Sequence, residues 1–129
     1  MPLSRISVPQ HLPTSRVLAL ALADAVQAGL VSTCRVPPDD HFQLISRFAV
    51  LDMILNPTFG DVARTADASI VEITFLQGRT DDQKRALYRS VTAAAVAAGF
   101  KADDIMIALS ENTLMDWTLG CGLAFKGHS

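Results

Sequence analysis

The sequence predicts an α+β fold: a two-layer, duplicated β-α-β unit giving one four-stranded mixed sheet with two helices on a single face. Three observations predict it. An apolar strand pattern, a helical pattern and a second strand pattern follow one another twice along the chain. Each half carries the same punctuation: Thr14, Gly29 and Asp39-Asp40 in the first, Thr80, Gly99 and Asp103-Asp104 in the second. A length of 129 residues suits one core rather than two. The expected organisation is a single domain over 1–129, with pseudo-repeat halves near 1–55 and 68–112 and a tail over 113–129.

Leu3 to Val8 reads as the first strand, with Ser4, Ile6 and Val8 on one side, and Pro9, His11 and Pro13 end it. Thr14 or Ser15 can cap a helix whose apolar positions Leu18, Leu22, Ala25 and Val26 recur at helical spacing, closing at Gly29. Val36-Pro37-Pro38-Asp39-Asp40 is a turn that launches the apolar run Phe42 to Ile45. Asn56 to Asp67 reads as a connecting loop with a small hairpin before it. Ile70 to Leu76 is rich in β-branched and aromatic residues, a strand ended by Gly78. Thr80-Asp81-Asp82-Gln83 is a capping box, and its two acids suit the positive end of a helix. Leu87, Val91, Ala94, Ala95 and Ala98 form that helix's inward stripe, and Gly99 closes it. Ile105 to Leu109 is the last strand, and the glycine-rich tail adds a short edge hairpin or reaches a neighbouring subunit. A crossover helix joins parallel strands, so two such units place both helices on one face of one sheet.

Composition narrows the partners. Hydrophobic residues make up 50% of the chain and charged residues 19%, apolar enough to expect surface buried between subunits. A net charge of -2 with mixed signs gives no basic stripe, so neither nucleic acid nor an anionic membrane is the expected partner. Cys34 and Cys121 sit in no paired motif and read as free thiols, and His11, His41 and His128 share no ligand spacing. No metal and no cofactor is implied. Arg16, the run Val17 to Ala23 and the small residues Ala23-Asp24-Ala25 loosely imitate a signal peptide. Two prolines precede the run, Asp24 interrupts it, and it falls short of the ~20 residues a bilayer requires. An amphipathic helix and a cytoplasmic protein are the expectation.

Several local words agree with one family. Pro2 opens the first strand, and Asp40-His41-Phe42-Gln43-Leu44-Ile45, Gly78-Arg79-Thr80-Asp81-Asp82-Gln83-Lys84, Leu87-Tyr88, Asp103-Asp104-Ile105-Met106-Ile107 and Asp116-Trp117-Thr118-Leu119-Gly120 follow in order. The chain thereby resembles the tautomerase superfamily, which includes 4-oxalocrotonate tautomerase and macrophage migration inhibitory factor. It is most similar to the longer, fused members near malonate semialdehyde decarboxylase, with only the stretch from about Val50 to Ala68 weakly matched.

The resemblance implies a homotrimer and a catalytic Pro2, freed by removal of Met1. Behind a retained methionine that nitrogen is an amide without basicity. Freed, it is a secondary amine whose cation an apolar pocket disfavours, which tunes it toward a base working near neutral pH. Phe42, Trp117, Leu119 and Phe125 are candidates for the apolar wall. Arg79, just before the second helix, is expected to hold a substrate carboxylate or polarise a carbonyl. Asp40 matches an aspartate that positions water in the decarboxylase, and by its own position reads equally as a turn residue. The decarboxylases carry arginine two residues before Arg79, where this chain has Gln77, a donor that cannot neutralise a second anionic charge. That departure favours keto-enol tautomerisation of a 2-keto acid or its enol over decarboxylation or hydration. An inactive, trimer-forming binding module is the rival from outside enzymology.

Overall fold

The computed structural model describes residues 1–12 and 15–127, with the side chain of Ser15 outside the description. Along the chain run β1 (Pro2–Pro9), α1 (Ser15–Cys34), β2 (Gln43–Phe48), β3 (Ser69–Leu76), α2 (Asp81–Ala98) and β4 (Ile105–Asn112). The sheet order is β2-β1-β3-β4. β1 pairs parallel with β2, and β3 parallel with β4, each pair joined by its crossover helix. The two units meet antiparallel at the centre, where Pro2 faces Phe75 and Ile6 faces Val71. This is the mixed four-stranded sheet with two helices that the sequence predicts.

The period of two in each strand decides which face is dry. Ser4, Ile6 and Val8 from β1 and Val71, Ile73 and Phe75 from β3 point into the core, and Ile105, Ile107 and Leu109 of β4 pack against its edge. Ala19, Leu22, Ala23, Val26 and Leu30 of α1 and Leu87, Val91 and Ala95 of α2 close it from above. Full burial of each large aliphatic or aromatic side chain contributes roughly 1.5–3 kcal/mol, so this layer is the main source of stability. On the opposite face Leu44 and Met106 are exposed.

Four details depart from the sequence reading. α1 does not close at Gly29 but runs on to Cys34, because Gly29 is an interior contact: a Cβ built there would lie 3.0 Å from Val91 Cγ2 and 3.2 Å from Leu87 Cδ1. The hydroxyls of Ser32 and Thr33 donate back to the Gly29 carbonyl, satisfying it as the helix continues. By length and composition Arg16–Cys34 would suffice to cross a membrane, although its inner face packs on the sheet. In α2, Ala94 and Ala98 are exposed, since the stripe of Leu87, Val91 and Ala95 already fills the interface. A 3-10 turn at Val50–Asp52 stands where a hairpin was expected. β2 and β4 also run further than their apolar cores, to Phe48 and Asn112.

Other expectations hold. The Thr80 hydroxyl accepts from Gln83 N–H and the Gln83 side chain accepts from Thr80 N–H, completing the capping box. Gly99 ends α2 at φ 122°, a region open to glycine. Thr118 and Ala124 form the bridge of a short tail hairpin. The proposed Thr14 cap and His128 lie outside the described residues, and both cysteines are free thiols.

Candidate active site

Antiparallel packing of the two units brings the start of β1, the end of α1, the end of β3 and the start of α2 to one end of the sheet. Chemistry-bearing residues gather there in two cavities. The first, about 140 Å³, is lined by Met1, Asp39, Asp40, Phe42, Leu119 and Phe125. The second, a cleft of about 570 Å³, is lined by Cys34, Arg35, Gln77, Gly78, Arg79, Thr80 and Gln83. Pro2 is fully buried and lines neither cavity; Met1, which precedes it in the chain, lines the first, and Phe75, its partner across the sheet, lies under Arg79 of the second.

In the first cavity the α-amino group of Met1 lies 3.1 Å from Asp40 Oδ2, with both side chains about 4% exposed or less. Asp40 is placed by its turn and by α1. Its N–H donates to Pro37 O at 3.0 Å, and Gln27 Nε2 donates to its carbonyl at 3.1 Å. Gln43 Nε2 reaches Ala23 O at 2.8 Å, and Ser4 N–H donates to Phe42 O at 3.0 Å, fastening the start of β2 to α1 and β1. A buried amine beside a buried carboxylate is an ion pair held in an apolar setting, where burial would disfavour either charge without its partner. The tail supplies the rest of the wall. Phe125 N–H donates to Trp117 O at 2.9 Å, folding the hairpin so that Leu119 and Phe125 meet Phe42.

In the second cavity Gly78, at φ 114°, turns the chain out of β3 so that Arg79 folds back. Arg79 Nη1 donates to Leu76 O at 2.8 Å, and its guanidinium carbon stands 5.0 Å from the centroid of Phe75, the residue opposite Pro2. Beyond it Lys84 Nζ donates to Glu111 at 2.6 Å. That bond holds the Glu111 carboxyl below its ordinary value, helped by the Gly78 backbone and the charge of Arg79. It also raises Lys84 above its own.

Asp40, Phe42, Leu119 and Phe125 thus share one cavity, and Gln77 and Arg79 the other. Trp117 lines neither. Its Nε1 donates to Asn112 Oδ1 at 2.6 Å, which fastens the tail to the end of β4. Sequence reasoning missed Met1 as a wall and Arg35 as a neighbour of Arg79. The signal for Arg35 was available: duplicated crossovers put the C-terminus of the first helix beside the N-terminus of the second. Assigning the first helix an end at Gly29 concealed it.

A family model described as tautomerase enzyme matches residues 40–120. The probable tautomerase YusQ of Bacillus subtilis (strain 168) is 32% identical over 111 residues, covering 85% of this chain and 87% of that relative. The crystal structure of FG41 malonate semialdehyde decarboxylase inhibited by 3-bromopropiolate superposes with a TM-score of 0.85 at 27% identity, over 94% of this chain and 91% of that one. A fused 4-OT wild-type symmetric trimer shares the fold at a TM-score of 0.75 and 22% identity, over 95% of this chain and 94% of its own.

Proposed function

Since the chain belongs to the tautomerase family, we propose that it is a keto-enol tautomerase acting on a 2-keto acid or its enol, with Pro2 as the base after Met1 is removed. The observation that carries this reading is the buried N-terminus, an amine 3.1 Å from Asp40 inside an apolar-walled cavity. Met1 is itself 6% exposed, so its loss vacates space for a small substrate against Phe42, Leu119 and Phe125. The new amine then belongs to Pro2, one residue further in. Its lone pair accepts a proton from the enol hydroxyl, or from the carbon alpha to the carbonyl, and returns it at the other end of the conjugated system. Asp40 stabilises the protonated amine between the two transfers. Arg79, on the face of Phe75, binds the carboxylate, with Gln77 as a neutral donor beside it. Trp117 serves by anchoring the wall.

A decarboxylase or hydratase reading draws support from the similarity to malonate semialdehyde decarboxylase and from the burial of Asp40, the residue that would handle water. Gln77 in place of an arginine weighs against it. Borohydride trapping in the presence of a keto acid tests its imine variant. The third reading, a non-catalytic binding module, corresponds to a chain that keeps Met1 and its bond to Asp40.

We also propose a homotrimer in the cytoplasm, as the fused 4-OT trimer suggests, with other copies covering the exposed sheet face that carries Leu44 and Met106. The partner is a small carbonyl acid rather than nucleic acid or membrane. The testing experiment follows enol loss by ultraviolet absorbance for mature protein and for its Pro2→Ala variant. A fall in kcat/KM of about 10²–10⁴, the usual worth of a general base, supports the reading. Equal rates in the two proteins refute it.

A further inference from the structure

The proposed chemistry uses Arg79 and gives Arg35 no part, yet the two line the same cleft. We propose that Arg35 is a specificity-determining residue: with Arg79 it forms a two-cation clamp on a dianionic keto acid, Arg79 holding the carboxylate beside the carbonyl and Arg35 the distal one. This deepens the tautomerase reading and rests on it for the identity of the reacting end.

Four observations carry the assignment. Arg35 follows the last residue of α1 at φ 59°, left-handed backbone that glycine or asparagine ordinarily supplies after a helix. A long cationic side chain stands at this position against the local preference. Its neighbours along the cleft are donors or neutral groups: Gln77, Gly78, Thr80 and Gln83. No ion pair among the described residues uses Arg35 or Arg79. Glu111, an acid that feels the charge of Arg79, is already bonded to Lys84 at 2.6 Å and to the Gly78 backbone.

Two guanidinium groups facing one cleft repel, and an anion between them relieves the repulsion. Arg79, stacked on Phe75 across from Pro2, is placed for the carboxylate next to the reacting carbonyl. Arg35, exposed in the lining of the same cleft, is the cation left for a charge further along the substrate. A guanidinium binds carboxylate through two parallel N–H bonds, so the clamp selects geometry as well as charge. The first turn of α2 adds the partial positive charge of its amides, offset in part by Asp81 and Asp82. The ordinary alternative is a solvated cation favourably placed at the negative end of α1.

The test measures binding of 2-oxoglutarate and 2-oxobutyrate by calorimetry, and turnover of a dicarboxylic and a monocarboxylic 2-keto enol, for wild type, Arg35→Gln, Arg35→Lys and Arg35→Gly. The clamp predicts that wild type prefers the dianion, and that Arg35→Gln raises Kd and KM for the dianion about tenfold relative to the monoanion, with kcat for the dianion nearly unchanged. Arg35→Lys recovers part of the ratio. Arg35→Gly, which suits the backbone, loses it as Arg35→Gln does and separates charge from folding. No preference in wild type, or an unchanged ratio in Arg35→Gln, overturns the clamp in favour of the solvated cation. Failure of the tautomerase reading looks different: neither enol turns over, while the 2-oxoglutarate preference and its dependence on Arg35 persist.

Discussion

Replacing Gly29 by alanine sets two known effects against each other, and the contact geometry decides between them. In a helix interior the change favours folding by about 0.8–1 kcal/mol. Here the new methyl would stand 3.0 Å from Val91 Cγ2 and 3.2 Å from Leu87 Cδ1, both on side chains with no exposure and hence no solvent to move into. Overpacking of that kind costs roughly 1–3 kcal/mol. Gly29→Ala is therefore expected to destabilise by about 1 kcal/mol. In a Val91→Ala background the nearer of the two crowding atoms is gone, and the space left behind takes the methyl and lets Leu87 Cδ1 move aside. There the same change is expected to stabilise by about 1 kcal/mol, the propensity gain alone. The cycle then shows a coupling of about 2 kcal/mol, well above the ~0.3–0.5 kcal/mol scatter of independent sites. Urea unfolding followed by far-ultraviolet circular dichroism, at one fixed protein concentration because of the expected oligomer, measures it. A coupling within about 0.5 kcal/mol of zero would refute the close helix contact as the reason for glycine at position 29.

Three further outcomes follow from named contacts. Thr80→Ala removes the hydroxyl that accepts from Gln83 N–H, and is expected to lower stability by about 1 kcal/mol in the same unfolding assay; it should also raise KM for carboxylate substrates, because Arg79 precedes that cap. Asp104 is 2% exposed and accepts from Thr65 N–H at 2.7 Å and from its hydroxyl at 2.6 Å. Asp104→Ala should therefore cost about 1–3 kcal/mol and expose the 56–67 loop to limited proteolysis, with Asp104→Asn milder. The Lys84 bond lowers Glu111 from its ordinary 4.5 and raises Lys84 from its ordinary 10.5. The stabilisation is thus present above the ordinary glutamate value and below the ordinary lysine value. It is lost as pH falls through the lowered Glu111 value, and again as pH rises through the raised Lys84 value. Unfolding midpoints of wild type and Glu111→Gln should differ by a constant amount near neutrality and converge in acid.

The parts of this molecule that short-range chemistry dictates were legible before any coordinates. Thr80 and Gln83 form a capping box because their spacing permits little else, and alternation alone placed Ser4, Ile6 and Val8 on the core side of β1. Gly29 was misread because a glycine that ends a helix and one that lets two helices touch look identical in sequence. The difference lies in Val91 and Leu87, more than fifty residues away. Ala94 and Ala98 fit the helical period as well as Ala95 does, and only the width of the interface excludes them. For the candidate site, Pro2, Asp40, Arg79 and the wall residues Phe42, Leu119 and Phe125 are proposed from motifs, and Trp117, proposed with them, lines neither cavity. The division of the site between two cavities could not be read there, because it depends on where the tail hairpin crosses and on how far α1 extends. Arg35 stands beside the Arg79 cleft because α1 reaches Cys34.

The central claim, that Pro2 becomes a free nucleophilic base, is tested most directly by intact mass of untagged, cell-derived protein before and after a 3-halopropiolate, with peptide mapping of any adduct. The account predicts a chain lacking Met1 that gains one adduct, carried by Pro2. A chain that retains Met1, or one whose Pro2 stays unlabelled, would contradict it and leave the buried N-terminus as part of a binding module.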